Sequence, residues 1–98
     1  MVSDNKLSKI DLSNLSKLSS LTISNNTQLS EVVWPTEAAS FKTIYALNLS
    51  LSGALNLTQY QALNFVNFNN NKLTSLDLSG LEMDRVFCMN NQLSELKV

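Results

Sequence analysis

Aromatic and basic side chains recur in the second half of the chain at positions where a β-strand turns them outward. Segments such as Phe65-Val66-Asn67 and Arg85-Val86-Phe87 place them at every second residue, and successive side chains of a strand point to opposite faces. Large apolar groups that face solvent commonly mark interaction surfaces, and aromatic residues with arginine dominate binding energy. These residue types predict noncovalent recognition. The predicted ligand-binding residues are Tyr45, Phe65, Asn67, Asn69, Arg85, Phe87 and Met89, with Phe65, Arg85 and Phe87 as anchors.

The same aromatic residues have a second interpretation, in which they pack on one another or on a neighbouring module and bind no ligand. Catalytic chemistry has little support because the chain has no histidine and a single cysteine, Cys88, and serine without a base is a poor nucleophile. The same shortage disfavours a zinc site. We therefore predict a protein that is not an enzyme and has neither a cofactor nor a bound metal.

Charge and hydropathy disfavour two further classes of partner. The net charge is −1 and the seven lysine and arginine residues are scattered, whereas nucleic-acid binding needs a basic stripe. No apolar run approaches the roughly 18 to 20 residues that span a bilayer. We expect neither a nucleic-acid partner nor a membrane span.

A short repeat organises the chain, in which Leu, Asn and Ser supply 45 of the 98 residues. Eight segments fit the pattern Leu-x-x-Leu-x-Leu with conservative replacements, and in the first and last thirds they start 10 or 11 residues apart. Alternate segments carry an asparagine three residues later, so the unit is a pair of half-turns about 20 to 22 residues long. A unit of this length is typical of leucine-rich repeats.

The repeat predicts a solenoid of short parallel strands with an irregular or β-type convex side and little helix, because strict alternation is typical of half-buried strands. We expect strands at residues 20–24, 46–50, 65–69 and 85–89, the second of them within the segment Ile44-Leu47-Leu49. Asparagines at the following turns could satisfy buried backbone groups, which otherwise cost about 1 to 3 kcal/mol each. The predicted asparagine ladder is Asn26, Asn71 and Asn91.

The centre of the chain departs from the repeat, since residues 35–43 contain an insertion of four residues. Pro35 begins a turn and good helix formers follow, so we expect a helical turn on the convex side with Thr36 as its N-cap. Trp34 and Phe41 are predicted to be core residues or to lie on the convex side, and Cys88 to be a small inward-facing hydrophobe.

The segments Asn71-Lys72-Leu73-Thr74-Ser75-Leu76-Asp77-Leu78-Ser79 and Val86-Phe87-Cys88-Met89-Asn90-Asn91-Gln92-Leu93 resemble the short repeats of bacterial leucine-rich-repeat surface proteins. Such repeats are of the Bacteroidetes type and are similar to those of an internalin with a ladder of cysteines. The resemblance implies a curved solenoid displayed outside the cell or on its surface. It also implies that the chain binds protein or glycan. At the positions that match Cys88, this chain has Ile23, Leu49 and Phe68.

These observations lead to a functional hypothesis with two alternatives. We expect a binding module that recognises a protein through its concave sheet face. A glycan is the first alternative, with Tyr45, Phe65 and Phe87 stacking on sugar rings, and a structural spacer within a longer surface protein is the second. The domain is expected to cover residues 1–98 as four to five repeats cut from a longer solenoid. Its ends are then expected to contact neighbouring modules or another copy.

Overall fold

Nine short β-strands and no helix make up the computed structural model, which describes residues 7–98. The strands alternate between two sides of the molecule as the chain coils. In chain order they are β1 (Lys9–Asp11), β2 (Ser20–Thr22), β3 (Glu31–Val33), β4 (Thr43–Tyr45), β5 (Ser52–Asn56), β6 (Phe65–Asn67), β7 (Lys72–Asp77), β8 (Arg85–Phe87) and β9 (Glu95–Lys97).

Every strand pair is parallel, and the even-numbered and odd-numbered strands lie in separate sheets. The front sheet has the order β2-β4-β6-β8, whereas the back strands form two groups, β1-β3 and β5-β7-β9. Each turn of the chain thus contributes one front strand and one back strand. The prediction of a solenoid with short parallel strands is confirmed, and the solenoid has about four turns.

The core lies between the front sheet and the back strands and is built from stacked inward-facing side chains. In the front sheet the central residues Leu21, Ile44, Val66 and Val86 are in register. The first three are buried, and Val86, in the last strand, is half-buried. Burial of one such side chain stabilises the fold by roughly 1.5 to 3 kcal/mol. Each coil therefore depends on its neighbour to cover these groups.

The predicted position of the second front strand is wrong by three residues. This strand is β4 at Thr43–Tyr45 and not a strand over residues 46–50. The residues that stack on Leu18-x-x-Leu21-x-Ile23 are Phe41-x-x-Ile44-x-Ala46, and Phe41, Ile44 and Ala46 are fully buried. A phenylalanine and an alanine at the outer positions concealed this match, and Ile44-Leu47-Leu49 offered a closer one to leucine spacing.

The helical turn predicted for the inserted segment does not form; the chain makes a bend at Thr36 and a turn at residues 39–40. The segment is too short for independent helix, which is marginal in water below about 12 residues. It is held by packing, because the ring of Phe41 meets that of Tyr60 edge-on with centroids 5.2 Å apart. The Tyr60 hydroxyl also donates a hydrogen bond to the Pro35 carbonyl at 2.5 Å.

The predicted asparagine ladder lies at one corner of the coil and bonds to backbone. Asn71 is buried, and its Nδ2 donates to the carbonyls of Ala46 and Phe68 at 2.8 and 3.0 Å while its Oδ1 accepts from the Leu51 amide at 3.1 Å. Asn91 makes equivalent bonds one turn later, and Asn26 is fully buried with Nδ2 on the Ile23 carbonyl at 2.9 Å. These side chains join successive coils.

The second coil has Leu49 where the ladder has asparagine in the other coils. Without a side-chain acceptor there, the Leu29 amide donates to the Asn26 carbonyl at 2.8 Å. The equivalent amides of Leu51 and Leu73 instead reach the Oδ1 atoms of Asn71 and Asn91. A local turn thus replaces one step of the ladder.

A second row of asparagines precedes the first and was not predicted. Asn25, Asn48, Asn70 and Asn90 all have positive φ, from 57° to 62°, a conformation that asparagine tolerates better than most residues. The last three side chains each donate to the one in the preceding coil, with Nδ2 to Oδ1 distances of 2.6, 2.7 and 2.7 Å. The doubled asparagines at residues 25–26, 70–71 and 90–91 were the available signal.

Substitution of the buried ladder should be costly. We expect Asn71→Ala to lower the free energy of unfolding by about 1 to 3 kcal/mol, because it leaves buried backbone groups without partners. Asn67→Ala, which loses only a bond from the nearby Asn69 amide, should cost much less. Denaturant midpoints measure both, and equal losses would contradict a special role for Asn71.

Substitution in the second row separates backbone strain from side-chain bonding. We expect Asn70→Ala to destabilise more than Asn70→Gly, because alanine at positive φ costs about 1 to 2 kcal/mol and glycine does not. Both variants lose the same side-chain bonds. Thermal unfolding compares them, and an alanine variant as stable as the glycine variant would argue against a required positive φ.

Candidate binding surface

The outward face of the front sheet changes in character along the solenoid. Its side chains follow from alternation within each strand. The first strand presents Ser20 and Thr22, and the second presents Thr43 and Tyr45. The last two strands present larger groups, which are Phe65, Asn67, Arg85 and Phe87.

An aromatic stripe formed by Tyr45, Phe65 and Phe87 crosses three neighbouring strands. Phe65 is in the middle, with ring centroids 4.9 Å from Tyr45 and 5.8 Å from Phe87 and interplanar angles of 39° and 52°. The stripe is a zigzag, because the strand register sets Tyr45 and Phe87 opposite Asn67 and sets Phe65 opposite Thr43 and Arg85. Contacts of this kind contribute about 0.5 to 1.5 kcal/mol each beyond area burial.

Mutual packing leaves the stripe partly open to solvent. Tyr45 is 39% exposed, and Phe65 and Phe87 are half-buried. The rings therefore pack on one another, as the second interpretation expected, and still present one continuous apolar strip. A partner can cover this strip without reordering it, since neighbouring rings already restrict each side chain.

Two long side chains border the stripe, Arg85 at the start of β8 and Met89 two residues after it. Arg85 is exposed and takes part in no ion pair, since the one salt bridge within residues 7–98 joins Lys9 Nζ to Glu31 Oε2 at 3.6 Å. Met89 is 63% exposed. A cation and a flexible thioether beside aromatic rings suit an uneven apolar surface with nearby carboxylates.

Asn67 and Asn69 support the backbone at this edge. The Oδ1 of Asn67 accepts from the Asn69 amide at 3.0 Å, and the Oδ1 of Asn69 accepts from the Met89 amide at 2.7 Å. Their side-chain Nδ2 groups make no hydrogen bond within the described part of the chain. Both donors remain available, and Asn67 lies between Tyr45 and Phe87 in the strand register.

The structure brings most of the predicted residues together and corrects others. Tyr45, Phe65, Arg85 and Phe87 share the front face, and Asn67, Asn69 and Met89 follow its edge. A strand at residues 46–50 would have turned Ala46 and Asn48 outward, but Ala46 is fully buried and Asn48 belongs to the second row of asparagines. Tyr45 ends β4 and lies on this face.

The groups in residues 7–98 that could react or bind a metal are the Cys88 thiol and the carboxylates. Cys88 is half-buried, and this burial raises the pKa of its thiol, which disfavours the nucleophilic thiolate. Across the described residues, no three side chains of His, Cys, Asp or Glu group closely enough to hold a metal ion. The surface offers stacking, apolar contact and hydrogen bonding.

Comparison with known proteins found no matching family model, no matching curated protein and no matching solved structure. Within residues 7–98 no helix has the length and apolar character needed to cross a membrane.

Proposed function

We propose that this chain is a leucine-rich-repeat binding module that is not catalytic and recognises a protein through the front sheet. The observation that carries the proposal is the partly exposed aromatic stripe of Tyr45, Phe65 and Phe87, bordered by Arg85 and Met89. Aromatic residues, methionine and arginine are enriched at protein interfaces, and tyrosine and arginine are enriched among binding hot spots. The repeat length and its resemblance to bacterial surface proteins support the leucine-rich-repeat type and extracellular or cell-surface display.

A glycan is the second candidate ligand, favoured by one specific observation. The Nδ2 donors of Asn67 and Asn69 are available, and Asn67 lies between Tyr45 and Phe87 in the strand register, so hydroxyl groups and a sugar ring could be bound together. Protein ranks first because the stripe has no tryptophan and because Arg85 and Met89 suit a protein surface better than a sugar.

The front face can be tested by a pair of apolar truncations. Detergent extracts of bacterial and host cell surfaces are passed over the immobilised chain, and the affinity of a protein retained by the wild type is then measured. We expect Phe87→Ala to weaken this affinity about 30-fold or more, the effect of a strong hot spot. Leu15→Ala, at an exposed corner away from the front sheet, should change it less than twofold.

Two outcomes would count against protein recognition by this face. Equal losses for Phe87→Ala and Leu15→Ala would place the contact elsewhere. Binding on a glycan array that Phe87→Ala abolishes would assign the same surface to sugar. Because Phe87 packs on Phe65, thermal unfolding of each variant must show that the fold is kept, and Arg85→Ala supplies a variant without ring packing.

We also propose contact at the ends of the solenoid, with another copy or with neighbouring modules. At the C-terminal end, β8 and β9 each pair on one side only within the described chain, and Leu96 and Val98 are 44% and 75% exposed. Open strand edges with apolar groups favour pairing with another chain. A spacer role within a longer protein would use the same contacts.

Sedimentation over a concentration series measures the end contact. We expect the wild type to associate as its concentration rises and Leu96→Glu to weaken this association, because a charge is introduced at the exposed edge. Ala39→Glu is the control, because Ala39 is exposed in the inserted segment of a central coil, between β3 and β4 and away from both ends. A wild type that stays monomeric at high concentration would contradict the proposal.

A further inference from the structure

The back of the solenoid is interrupted between two consecutive back strands. β3 pairs only with β1, and β5 pairs only with β7. No Cα of β3 lies within 8 Å of any Cα of β5, although paired strands are about 4.8 Å apart. One additional strand between them needs about twice the paired spacing, and so a separation beyond 8 Å.

The interruption forms a bounded groove, the back groove, with a volume of about 280 Å³. At one end of the groove the Ser50 amide donates to the Leu29 carbonyl at 2.8 Å, and at the other end the Tyr60 hydroxyl donates to the Pro35 carbonyl at 2.5 Å. Between these two hydrogen bonds, β3 and β5 are not paired with each other. These two contacts therefore set the length of the groove along the strands.

Apolar side chains from both coils line most of the groove. They are Val32, Trp34, Leu51, Leu55 and Leu73. Leu51 and Leu73 are buried, whereas Val32, Trp34 and Leu55 are half-buried. The groove therefore offers partly exposed apolar groups to an inward-pointing side chain.

The walls of the groove carry unpaired backbone groups. Glu31 donates its amide to Ser8 and the Val33 carbonyl accepts from Leu12, both on the side of β1. Alternation then turns the Val32 amide and carbonyl toward the groove. On the other wall, the Leu57 amide donates to Asp77 on the side of β7, so the Ala54 carbonyl and the Asn56 amide face the groove.

We infer that the back groove binds an extended segment of a partner protein as one additional parallel strand. Three residues of the bound segment can make all of these bonds. The carbonyl of the first residue accepts from the Val32 amide, and the amide of the third residue donates to the Val32 carbonyl. The middle residue donates its amide to the Ala54 carbonyl, and its carbonyl accepts from the Asn56 amide. Strand addition of this kind takes affinity from backbone bonds and specificity from alternate side chains.

The side-chain chemistry of the segment follows from the same register. Its middle residue points inward between Val32 and Leu55, so it is apolar and β-branched, such as valine. Its first residue points outward beside Glu31, the one charged side chain that lines the groove in the described structure. We expect that residue to be lysine or arginine, so that its cation and Lys9 lie on either side of the Glu31 carboxylate.

The test uses the full 98-residue chain, labelled with ¹⁵N, and the probe acetyl-Thr-Lys-Val-Thr-Thr-amide. We expect saturable chemical-shift changes and slower hydrogen exchange at the Val32 and Asn56 amides. The same peptide with an N-methylated valine cannot donate to the Ala54 carbonyl and should bind about tenfold more weakly or worse. The aromatic stripe lies on the other face, so its signals should not move.

Reversing the charge at residue 31 tests the proposed ion pair between Glu31 and the lysine of the probe. Glu31→Lys should weaken binding of the lysine probe about two- to fivefold and favour a probe with glutamate in its place, in the range of exposed ion pairs. Glu37→Lys, in the inserted loop outside the groove, is the matched control. Equal effects of the two variants, or insensitivity to N-methylation, would overturn the proposal.

A second copy of the chain is the competing occupant. If the Val32 and Asn56 amides become protected without peptide as the protein concentration rises, the groove pairs with another copy and the partner segment is refuted. Shift changes confined to Phe65 and Phe87 would equally refute it. Neither result bears on the front-face proposal, which stands or fails on Phe87→Ala.

Discussion

The whole molecule depends on satisfying backbone groups at the corners between parallel strands. A coil of about 22 residues has too little apolar surface to fold alone and must stack, and stacking buries carbonyls and amides where the chain turns. Asn71 bonds to Phe68 in its own coil and to Ala46 and Leu51 in the previous one. Because these bonds set the register between coils, they also set which side chains meet on the front sheet.

The surface of the front sheet shows how a repeat can acquire a specific feature without changing its backbone. Ser20 and Thr22 in the first coil occupy the positions that aromatic groups take later, and strand register is the same throughout. Phe65 meets both Tyr45 and Phe87 because each of them lies diagonally across from it on an adjacent strand. Three substitutions on a shared frame therefore suffice to create a continuous stripe.

Leucine spacing and asparagine position predicted much of this arrangement, including the parallel solenoid, three of the four front strands and the ladder residues. The failures share a physical cause, which is that packing at residues 35–49 overrides local pattern. Phe41 and Ala46 fill places that leucine fills elsewhere, and Tyr60 anchors the inserted loop. Leucine spacing did not predict the back groove, because the groove arises from the separation of β3 and β5 in consecutive coils.

The second row of asparagines, Asn25, Asn48, Asn70 and Asn90, gives the solenoid a direction that its apolar core lacks. Each amide nitrogen donates toward the N-terminal side, from Asn90 to Asn70, from Asn70 to Asn48 and from Asn48 to Asn25. Within the described chain the row thus presents an acceptor, the Oδ1 of Asn90, at one end and donors, on the Nδ2 of Asn25, at the other. Two identical C-terminal ends placed face to face would set acceptor against acceptor. Growth that continues this row therefore runs head to tail, which produces an open filament and not a closed pair.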